Sequence, residues 1–483
     1  MGTLDGMRVD VGFDFDLTLV DSADAIVATF LETADRLGVA VEADAVRAAI
    51  GIPLEETCAA LIGPDRASEA AALYRRLYPE IGVPRTTLLP GAADAVAAVR
   101  AHGGRAVIVS AKAEHLVHAS LEQVGLDVDH VVGDRYGTAK GEALREFAAA
   151  AHVGDHPGDI VGALAAGAVA VGVTTGPHDE VALRSAGADV VLDGLPAFPA
   201  WVDRFVLDRR LAALDAQLRG LGSVVVAFSG GADSAFVLAA AVRALGVDRV
   251  LAATAVSPSL PRRELVAARE FAEGLGVRHV RPRTDEMSRD GYRANDGDRC
   301  YFCKAELLDA LRPVAERGGF AHVVTGTHTD DAVAGFRPGI RAAAERGAVT
   351  PLRDAGLTKA QIRAASHRWG LVTWDKPAAA CLSSRIAYGL EITPVRLARV
   401  DRAEAALRAT LEAAGITAAN VRVRDLGEIA RIEVDGDVVE QVRALPAAMD
   451  AVRAAGFEAV VVDPQGFRSG SMNELLADPA RFR

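Results

Sequence analysis

The chain has 483 residues, a formal net charge of −12 and four cysteines, and half of its residues are hydrophobic. Its length predicts about three domains, each with its own core. Four cysteines exclude a disulfide scaffold and favour a reducing, cytoplasmic setting. The acidic start is not expected to be a signal peptide, and no run of about 18 apolar residues predicts a membrane span. The acidic balance argues against an extended nucleic-acid interface.

Apolar segments alternate with helical patterns through most of the chain, which predicts parallel α/β architecture. A proline-punctuated linker helix at 196–220 separates a first domain at 1–195 from a second α/β domain at 221–390. The remainder, 391–483, is predicted to be a small α+β domain that starts with a helix from about Pro394 to Ala414. The apolar segments expected to form strands are Val9–Asp16, a stretch ending at Ser110, Asp159–Thr175, Ser223–Gly231, Val250–Ser257 and His322–Asp331.

The stretch "FDFDLTLVDS" places Asp14 and Asp16 two residues apart at the end of a predicted strand. Alternation turns such side chains to one face, and the carboxyl ends of parallel strands are where α/β sheets bind ligands. One carboxylate can attack phosphorus while the other moves protons, and Mg²⁺ offsets their repulsion. An isolated pair of this kind is more often a solvated strand end. The residues that favour the phosphate site are Ser110, Lys140, Asp155 and Asp159.

Together, and in this order, these pieces resemble the haloacid-dehalogenase-like (HAD-like) phosphatases of the phosphoglycolate phosphatase type, over about residues 9–195. The resemblance implies a Rossmann-like α/β domain with Asp14 as nucleophile and Asp16 as general acid/base. It implies that Ser110 and Lys140 hold the phosphoryl group. The implied Mg²⁺ ligands are Asp14, Asp16, Asp155 and Asp159.

The same resemblance implies a helical cap at about 22–89 that selects the substrate. One position departs from the family pattern: Leu17 stands where the family usually has glycine after the second aspartate. We expect Leu17 to crowd the catalytic loop, so a silent phosphatase domain is an alternative. If the domain is active, we expect it to act on a phosphomonoester of the same pathway as the second half, either an unwanted mononucleotide or AMP.

The second half opens with "SVVVAFSGGADSAFV", which reads as a strand, a Ser-Gly-Gly loop and a helix. Gly230 and Gly231 allow backbone N–H groups to approach an anion at the helix N-terminus. The lysine of a Walker-type loop is missing, so the pattern suits ATP cleavage between the α and β phosphates, with AMP passing to the substrate. An ordinary glycine-rich turn is the alternative. The predicted ATP ligands are Ser229, Gly230, Gly231, Asp233 and Ser234.

Three cysteines of the second half are candidate ligands. Cys300 and Cys303 share a helical face near a helix start, where thiols have a lowered pKa and bind soft metals. Two cysteines do not complete a metal site, and Cys381 completes the set if the fold brings it near. A redox dithiol and a structural zinc site are alternatives. Cys58 is expected to be an ordinary buried cysteine.

Seven stretches between about 221 and 476 together resemble the ATP-dependent sacrificial sulfur transferase family (LarE): "SGGADS", "RCYFCK", "GTHTDD", "FRPGIRA", "KPAAACLSSRIAYG", "VRVRDLGEIARIEV" and "GFRSGSMNEL". The resemblance implies a PP-loop, adenine nucleotide alpha hydrolase-like domain. Members make the dithio nucleotide of the nickel-pincer cofactor. It implies that ATP adenylylates a carboxylate of pyridinium-3,5-biscarboxylic acid mononucleotide and that sulfur then replaces oxygen, with Cys381 at the sulfur-delivering position.

The resemblance also bears on the sulfur source and the partners. Members with the equivalent of Cys381 alone give up that sulfur, whereas members with all three cysteines hold a 4Fe–4S cluster with a replaceable sulfide. We therefore expect Cys300, Cys303 and Cys381 to hold such a cluster. A homo-oligomer and contacts with other enzymes of nickel-pincer cofactor synthesis are further implications. The arginines expected to bind the substrate phosphate are Arg385, Arg422 and Arg424, with Arg468 as a weaker fourth.

Two other enzyme classes use related loops. A tRNA-thiolating enzyme needs an extended basic surface, which an acidic chain without Lys/Arg-rich stripes does not predict. An amide-forming synthetase of the NAD- or GMP-making kind does not need Cys381. A nucleotide-binding sensor without activity is a third alternative, which Leu17 supports for the first half only.

Overall fold

A computed structural model describes residues 8–333, 338–377, 380–468 and 470–472. The chain divides into two compact units, Met1–Asp208 and Arg209–Arg483. Among the described residues, no helix is both long and apolar enough to cross a membrane. Parts of three family stretches lie outside the described residues: Phe336 and Arg337, Ala378 and Ala379, and Ser469 with residues 473–475.

The first unit is built on a parallel sheet with strand order β5-β4-β1-β6-β7-β8. Phe13 in β1 pairs with Ile108 in β4 and Val153 in β6, so the end of β1 lies between the ends of its two neighbours. All three side chains are buried, as expected for a sheet covered on both faces. The strands are β1 Val11–Phe13, β2 Val20–Asp21, β3 Thr87–Leu88, β4 Ala106–Val109, β5 His130–Val132, β6 Ala151–Gly154, β7 Val169–Val173 and β8 Val190–Leu192.

The helices of the first unit form the layers around this sheet and a separate cap. The cap helices α1–α4 have their own core, which includes Phe30, Cys58, Tyr74 and Tyr78. Cys58 is fully buried, which confirms its prediction as a core cysteine. The helices are α1 Ala23–Arg36, α2 Ala43–Ala48, α3 Leu54–Leu61, α4 Ala67–Ile81, α5 Ala92–Ala101, α6 Glu114–Val124, α7 Thr138–Glu146, α8 Pro157–Ala166, α9 Glu180–Ser185 and α10 Phe198–Leu221.

The predicted strand at Asp159–Thr175 is wrong in its first half, which belongs to α8. A capping box between His156 and Asp159 starts this helix, and Gly167 at φ 70° ends it before β7. The small residues of this stretch serve helix packing. A Cβ atom on Gly162 would lie 2.7 Å from the Cβ of Lys140, so glycine lets α8 approach α7 closely.

Helix α10 extends the first unit beyond the predicted limit of 195. Phe198, Trp201, Val202 and Val206 all belong to the core under the sheet. Phe198 packs on Phe13 with ring centroids 5.2 Å apart. The first unit therefore includes the first half of a helix that the sequence had suggested was a linker.

The second unit contains a parallel sheet with order β11-β10-β9-β12. Its strands are β9 Val224–Ala227, β10 Val250–Ala253, β11 His279–Val280 and β12 His322–Val324. The strand predicted at His322–Asp331 therefore ends at Val324. A loop follows, and the last residues of the predicted strand, from Thr329, belong to a helix. The helices around this sheet are α11 Ala232–Leu245, α12 Arg262–Gly274, α13 Asp290–Arg293, α14 Arg299–Gly318, α15 Thr329–Val333, α16 Pro338–Glu345, α17 Pro351–Asp354 and α18 Lys359–Arg368.

A smaller sheet with order β13-β14-β15 follows, covered by α19. Helix α19 runs from Pro394 to Ala413, with the Thr393 side chain accepting from the Arg396 N–H, which confirms the predicted helix. The core beneath α19 also takes in Leu382 and Ile386, which follow Cys381. The Cys381 segment is thus anchored to this part of the second unit. The remaining elements are β13 Val421–Asp425, β14 Ile429–Val434, α20 Val439–Arg443, α21 Pro446–Arg453 and β15 Ala459–Val462.

Candidate functional site

The first unit carries a buried acidic cluster at the carboxyl ends of β1 and β6. Carboxylate oxygens of Asp14, Asp155 and Asp159 lie within 4.8 Å of one another. Asp14 follows β1, Asp155 follows β6, and Asp159 lies in the first turn of α8. Hard cations such as Mg²⁺ take carboxylate oxygens as ligands, so these three residues fit the predicted metal.

Lys140 completes the charge arrangement of this cluster. Its Nζ donates to Asp14 Oδ1 at 2.7 Å and also to Asp159 Oδ1. Burial and the neighbouring Asp159 charge raise the pKa of Asp14 to about 7, although Lys140 opposes the shift. Burial alone would raise the pKa of Asp159, but Lys140 outweighs it and brings that pKa well below its usual range. The site therefore has an excess of negative charge that a divalent cation would relieve.

The Asp16 carboxylate lies outside the acidic cluster of Asp14, Asp155 and Asp159, so its role as a metal ligand stays a prediction. Strand β1 ends at Phe13, so the alternation expected to align Asp14 with Asp16 does not continue. The Asp16 carboxylate instead accepts from Ser22 at 2.6 Å and from Lys112 Nζ at 2.8 Å. Lys112 also donates to the Tyr78 hydroxyl at 2.6 Å. Asp16 thus faces the cap, with the cation of Lys112 beside it.

Leu17 has a left-handed backbone conformation, with φ of +58°. Its N–H donates to Val20 O at 2.8 Å, and its carbonyl accepts from Thr175. This conformation costs an L-residue about 1–2 kcal/mol, which explains why glycine suits the position. The side chain is buried, so packing holds the loop in place.

A cavity joins these groups to the cap. Asp14, Asp16, Ser110 and Lys140 line one end of it. Ser110 follows β4 and is almost fully buried. The structure therefore brings together the predicted nucleophile, the predicted general acid/base and both predicted phosphoryl ligands.

In the second unit, the Ser-Gly-Gly loop connects β9 to α11. The Ser229 and Ser234 hydroxyls lie 3.1 Å apart, and the Ser234 hydroxyl also accepts from the Ser229 N–H at 3.2 Å. Gly230 has φ of +75°, which glycine adopts without strain. Ser229, Gly231, Asp233 and Ser234 line a cavity of about 300 Å³ at the start of α11. Four of the five predicted ATP ligands therefore line one cavity at a helix N-terminus, and Gly230 lies in the same loop.

Two lysines that the sequence did not single out border this loop. Lys376 Nζ lies 2.8 Å from both the Gly230 carbonyl and Glu264 Oε2. Lys359 Nζ donates to Asp233 Oδ1 at 2.5 Å. Lys376 stands five residues before Cys381, so the cysteine segment is tied directly to the glycine loop.

Cys300 and Cys303 lie in the first turn of α14, Cys300 exposed and Cys303 partly buried. The lowered pKa expected for a thiol at the helix start is wrong for Cys303: burial raises the pKa of this thiol, and negative charge on Cys381 and Glu286 raises it further. Cys381 is therefore close enough for its charge to act on Cys303. The sulfurs of the three cysteines are not all within 4.8 Å of one another, whereas tetrahedral zinc would hold them about 4 Å apart.

Arg299 links the two cysteine segments. The residue is 5% exposed, and its NH1 group donates to the Ser383 carbonyl at 2.9 Å and to the Asn295 side chain. Asn295 Nδ2 in turn donates to the Ala387 carbonyl at 2.8 Å. Burial lowers the pKa of Arg299, but negative charge on Cys381 and Cys300 outweighs burial and raises it. Among the described residues, no carboxylate forms an ion pair with Arg299, so its positive charge is available to the sulfur groups.

The prediction that Arg385 binds the substrate phosphate requires an accessible guanidinium. The structure instead buries this group. It is 1% exposed and pairs with Glu404 at 2.9 Å. Its NH1 group donates to the carbonyls of Ala380 and Cys381, at 2.5 and 3.0 Å. A buried pair with these extra hydrogen bonds fixes the backbone at Cys381. Arg385 therefore stabilises the backbone of the cysteine segment and does not face a substrate phosphate.

Arg422 and Arg424 lie on β13 as predicted, but their surroundings differ. Arg424 pairs with the fully buried Glu433 at 2.6 Å. Arg422 has a guanidinium 5.4 Å from the ring centre of Phe467 and donates to the Val421 carbonyl. Burial, followed by the positive charge of Arg385, lowers the pKa of Arg422 to about 10. Arg422 therefore lies in a field of excess positive charge, which suits an anion.

Comparisons with known proteins find matches for both units. The model of the haloacid dehalogenase-like hydrolase family matches residues 11–173, and the model of the NAD synthase family matches residues 211–293. The chain is 40% identical to an uncharacterised Synechocystis protein over 274 residues, 56% of this chain and 99% of that protein. It is 35% identical over 271 residues to the pyridinium-3,5-bisthiocarboxylic acid mononucleotide synthase of Lactiplantibacillus plantarum, covering 56% of this chain and 96% of that enzyme.

The chain belongs to the LarE family of sulfur transferases. It is an enzyme with a PP-loop sulfurtransferase part and a HAD hydrolase-like part. Among solved structures, a predicted phosphatase from Clostridium acetobutylicum matches 41% of this chain and 99% of its own length, at 21% identity and a TM-score of 0.38.

Several residues around the LarE-type cysteines were not found from the sequence. Asn295 and Arg299 had a signal, because both stand just before the cysteine pair in a polar run. Lys376 opens the most specific family stretch. Glu404 had no sequence signal, since an acidic residue inside a helix of alternating charges is usually solvated.

Proposed function

We propose that the second unit activates a carboxylate of pyridinium-3,5-biscarboxylic acid mononucleotide with ATP and then replaces oxygen by sulfur. The observation that carries this proposal is the position of α14. Cys303 lies in its first turn, and the next residue, Lys304, lines the same cavity as Ser229 and Ser234. The predicted nucleotide and sulfur groups are therefore neighbours on one helix. The relative from Lactiplantibacillus plantarum is named for the bisthiocarboxylic acid product.

In the first step, a carboxylate oxygen of the substrate attacks the α-phosphorus of ATP. The bond between the α and β phosphates breaks, and pyrophosphate leaves. Backbone N–H groups at the start of α11 can hold the pyrophosphate, because a helix N-terminus favours anions. Lys376 and Lys359 add positive charge beside the loop. The acyl adenylate formed makes the carboxylate oxygen part of a leaving group, AMP.

In the second step, sulfur replaces that oxygen. A cluster held by Cys300, Cys303 and Cys381 would supply a replaceable sulfide and leave the cysteines intact. If Cys381 gives its own sulfur, its thiolate attacks the carbonyl carbon and AMP leaves. Loss of the Cα proton and cleavage of the Cβ–S bond then release the thiocarboxylate and leave dehydroalanine. We favour the cluster, because Arg299 places a buried positive charge beside these cysteines.

Protein prepared without oxygen tests this proposal. We expect about four irons per chain after reconstitution, and Cys300→Ala, Cys303→Ala and Cys381→Ala each to lose most of them. Cys58→Ala is the matched control and should keep the iron. With ATP, Mg²⁺ and substrate, we expect pyrophosphate and AMP as products. ADP and phosphate would contradict adenylylation, and a Cys381 residue that loses one sulfur and two hydrogens during turnover would contradict the cluster route.

For the first unit, we propose phosphomonoester hydrolysis with Mg²⁺ held by Asp14, Asp155 and Asp159. Bound there, the metal would offset the negative charge of the phosphoryl group. Asp14 attacks phosphorus, and the leaving oxygen takes a proton from Asp16. Water then attacks phosphorus and gives a proton back to Asp16, which frees Asp14 and releases phosphate. Hydrolysis of an aryl phosphate by the full chain, and its loss in Asp14→Asn, checks this role.

A further inference from the structure

The cavity of the first unit extends from the acidic cluster into the cap. Its phosphate end is defined by Asp14, Asp16, Ser110 and Lys140, so a bound ester directs its leaving group towards the cap. The residues that line the cap end therefore indicate which leaving groups are accepted.

The cap end is mainly aliphatic and aromatic. It is formed by side chains from α1, from α2 and from the turn before α3. Phe30 and Ile50 are almost fully buried beneath the cavity wall, and Ile52 is 37% exposed at its edge. The apolar lining residues on the cap are Ile26, Phe30, Val46, Ile50, Ile52 and Leu54.

The cations that reach this cavity are already paired. Lys140 binds Asp14 and Asp159, and Lys112 binds Asp16. Arg75, on the cap, has its guanidinium 2.6 Å from Glu55. A carboxylate on the leaving group would therefore enter an apolar pocket without an available cation, which is costly.

One polar group of the cap is available to a ligand. Tyr74 is 6% exposed and lines the cavity, and its ring packs against Tyr78 with centroids 5.5 Å apart. Within the described part of the chain, its hydroxyl makes no hydrogen bond. Burial raises the pKa of Tyr74 well above its usual value, so the hydroxyl keeps its proton and can donate. A hydroxyl that borders the cavity without a protein partner is a position for an uncharged hydrogen-bond acceptor.

We propose that the first unit binds phosphomonoesters whose leaving group is uncharged, mainly apolar and able to accept a hydrogen bond from Tyr74. The inference rests on the phosphatase role proposed above. Carboxylate-bearing esters such as phosphoglycolate are disfavoured. Of the two kinds of nucleotide in the sulfur-transfer reaction, AMP has an uncharged leaving group, whereas the pyridinium biscarboxylate mononucleotide does not.

Binding of non-hydrolysable phosphonates to the full chain with Mg²⁺ tests this independently of turnover. Propylphosphonate and phosphonoacetate are similar in size, and only phosphonoacetate carries a carboxylate. Calorimetry should show propylphosphonate binding at least about tenfold more tightly. Equal or tighter binding of phosphonoacetate, or no binding of either, overturns the proposal. Selective binding without hydrolysis of propyl phosphate or aryl phosphate would instead contradict only the phosphatase role.

Two variants sharpen the test. Ile52→Lys places a cation at the partly exposed edge of the apolar wall, and it should shift the preference towards phosphonoacetate by about tenfold. Tyr74→Phe should reduce the ratio of 3-hydroxypropylphosphonate to propylphosphonate affinity by about three- to tenfold, the usual range for one hydrogen bond. An unchanged preference in Ile52→Lys, or an unchanged ratio in Tyr74→Phe, would show that the cap end does not hold the leaving group.

Discussion

Arg299 donates a hydrogen bond to the Ser383 carbonyl at 2.9 Å, and so joins the helix of Cys300 and Cys303 to the segment of Cys381. Because no described carboxylate pairs with this buried guanidinium, negative sulfur groups are its natural counter-charge. Ser383 is also held through its side chain, which hydrogen-bonds the Tyr292 hydroxyl. The relative position of the three cysteines thus depends on a few buried polar contacts.

Arg299→Gln is expected to lower the iron content of reconstituted protein several-fold, because it removes both the counter-charge and the link to Ser383. Iron analysis and the absorption spectrum of anaerobic protein measure the effect. Arg293→Gln, an exposed arginine of the same segment, is the matched control and should retain iron. Full iron content in Arg299→Gln would show that the link is dispensable.

Arg422 and Arg424 should respond in opposite ways to removal of charge. Arg422→Met should raise the melting temperature of the ligand-free protein by about 2–4 °C, since a buried cation with a lowered pKa is removed. Arg424→Met should destabilise the protein by about 1.5–3 kcal/mol, because the buried Glu433 loses the hydrogen bonds from Arg424 and keeps Arg431 as its ion-pair partner. Thermal and denaturant unfolding measure both.

The same pair distinguishes an anion site from a structural arginine. Ribose 5-phosphate should raise the melting temperature of the wild-type chain, and the increase should be lost in Arg422→Met. If Arg422→Met lowers stability as much as Arg424→Met does, Arg422 is a structural arginine and not part of an anion site.

Leu17 can be tested with an alanine and glycine pair. Both substitutions delete the side chain, but glycine tolerates the positive φ, so Leu17→Gly should be more stable than Leu17→Ala by about 1 kcal/mol. The order should reverse at Leu19, a buried neighbour without a positive φ, where glycine is less stable by about 0.4–1 kcal/mol. Denaturant unfolding gives the four values. The same order at both positions would contradict the strained loop.

Lys376→Met should slow pyrophosphate release by about tenfold, because the loop loses a charge-assisted hydrogen bond to the Gly230 carbonyl. Arg368→Met, an exposed change on α18, should leave the rate unaltered. A normal rate in Lys376→Met would show that this lysine of the cysteine segment does not contribute to ATP activation.

The sequence was informative where chemistry and local pattern coincide. The order of Asp14, Ser110, Lys140 and Asp155 predicted residues that do meet at one end of a parallel sheet. The Ser-Gly-Gly loop predicted a strand, a turn and a helix, and β9 and α11 have that arrangement. Family stretches predicted that Cys381 belongs with the cysteine pair.

The rest depended on tertiary contacts. Arg385 looks like a surface cation in the sequence, and only the position of Glu404 on α19 shows that it is buried. The stretch from Asp159 to Thr175 is apolar throughout, so composition did not distinguish the small residues of α8 from the strand that follows. Lys112 gave no local signal, because its partners, Asp16 and Tyr78, are distant in sequence.

Helix α10 restricts where the chain can be divided between its two units. A gene division after residue 195 would remove Phe198, Trp201, Val202 and Val206 from the first unit and expose its core. A division after Asp208 would cut a continuous helix whose later residues, Leu214 and Leu218, are also buried. A division within α10 therefore has to keep Phe198, Trp201, Val202 and Val206 with the first unit and Leu214 and Leu218 with the second.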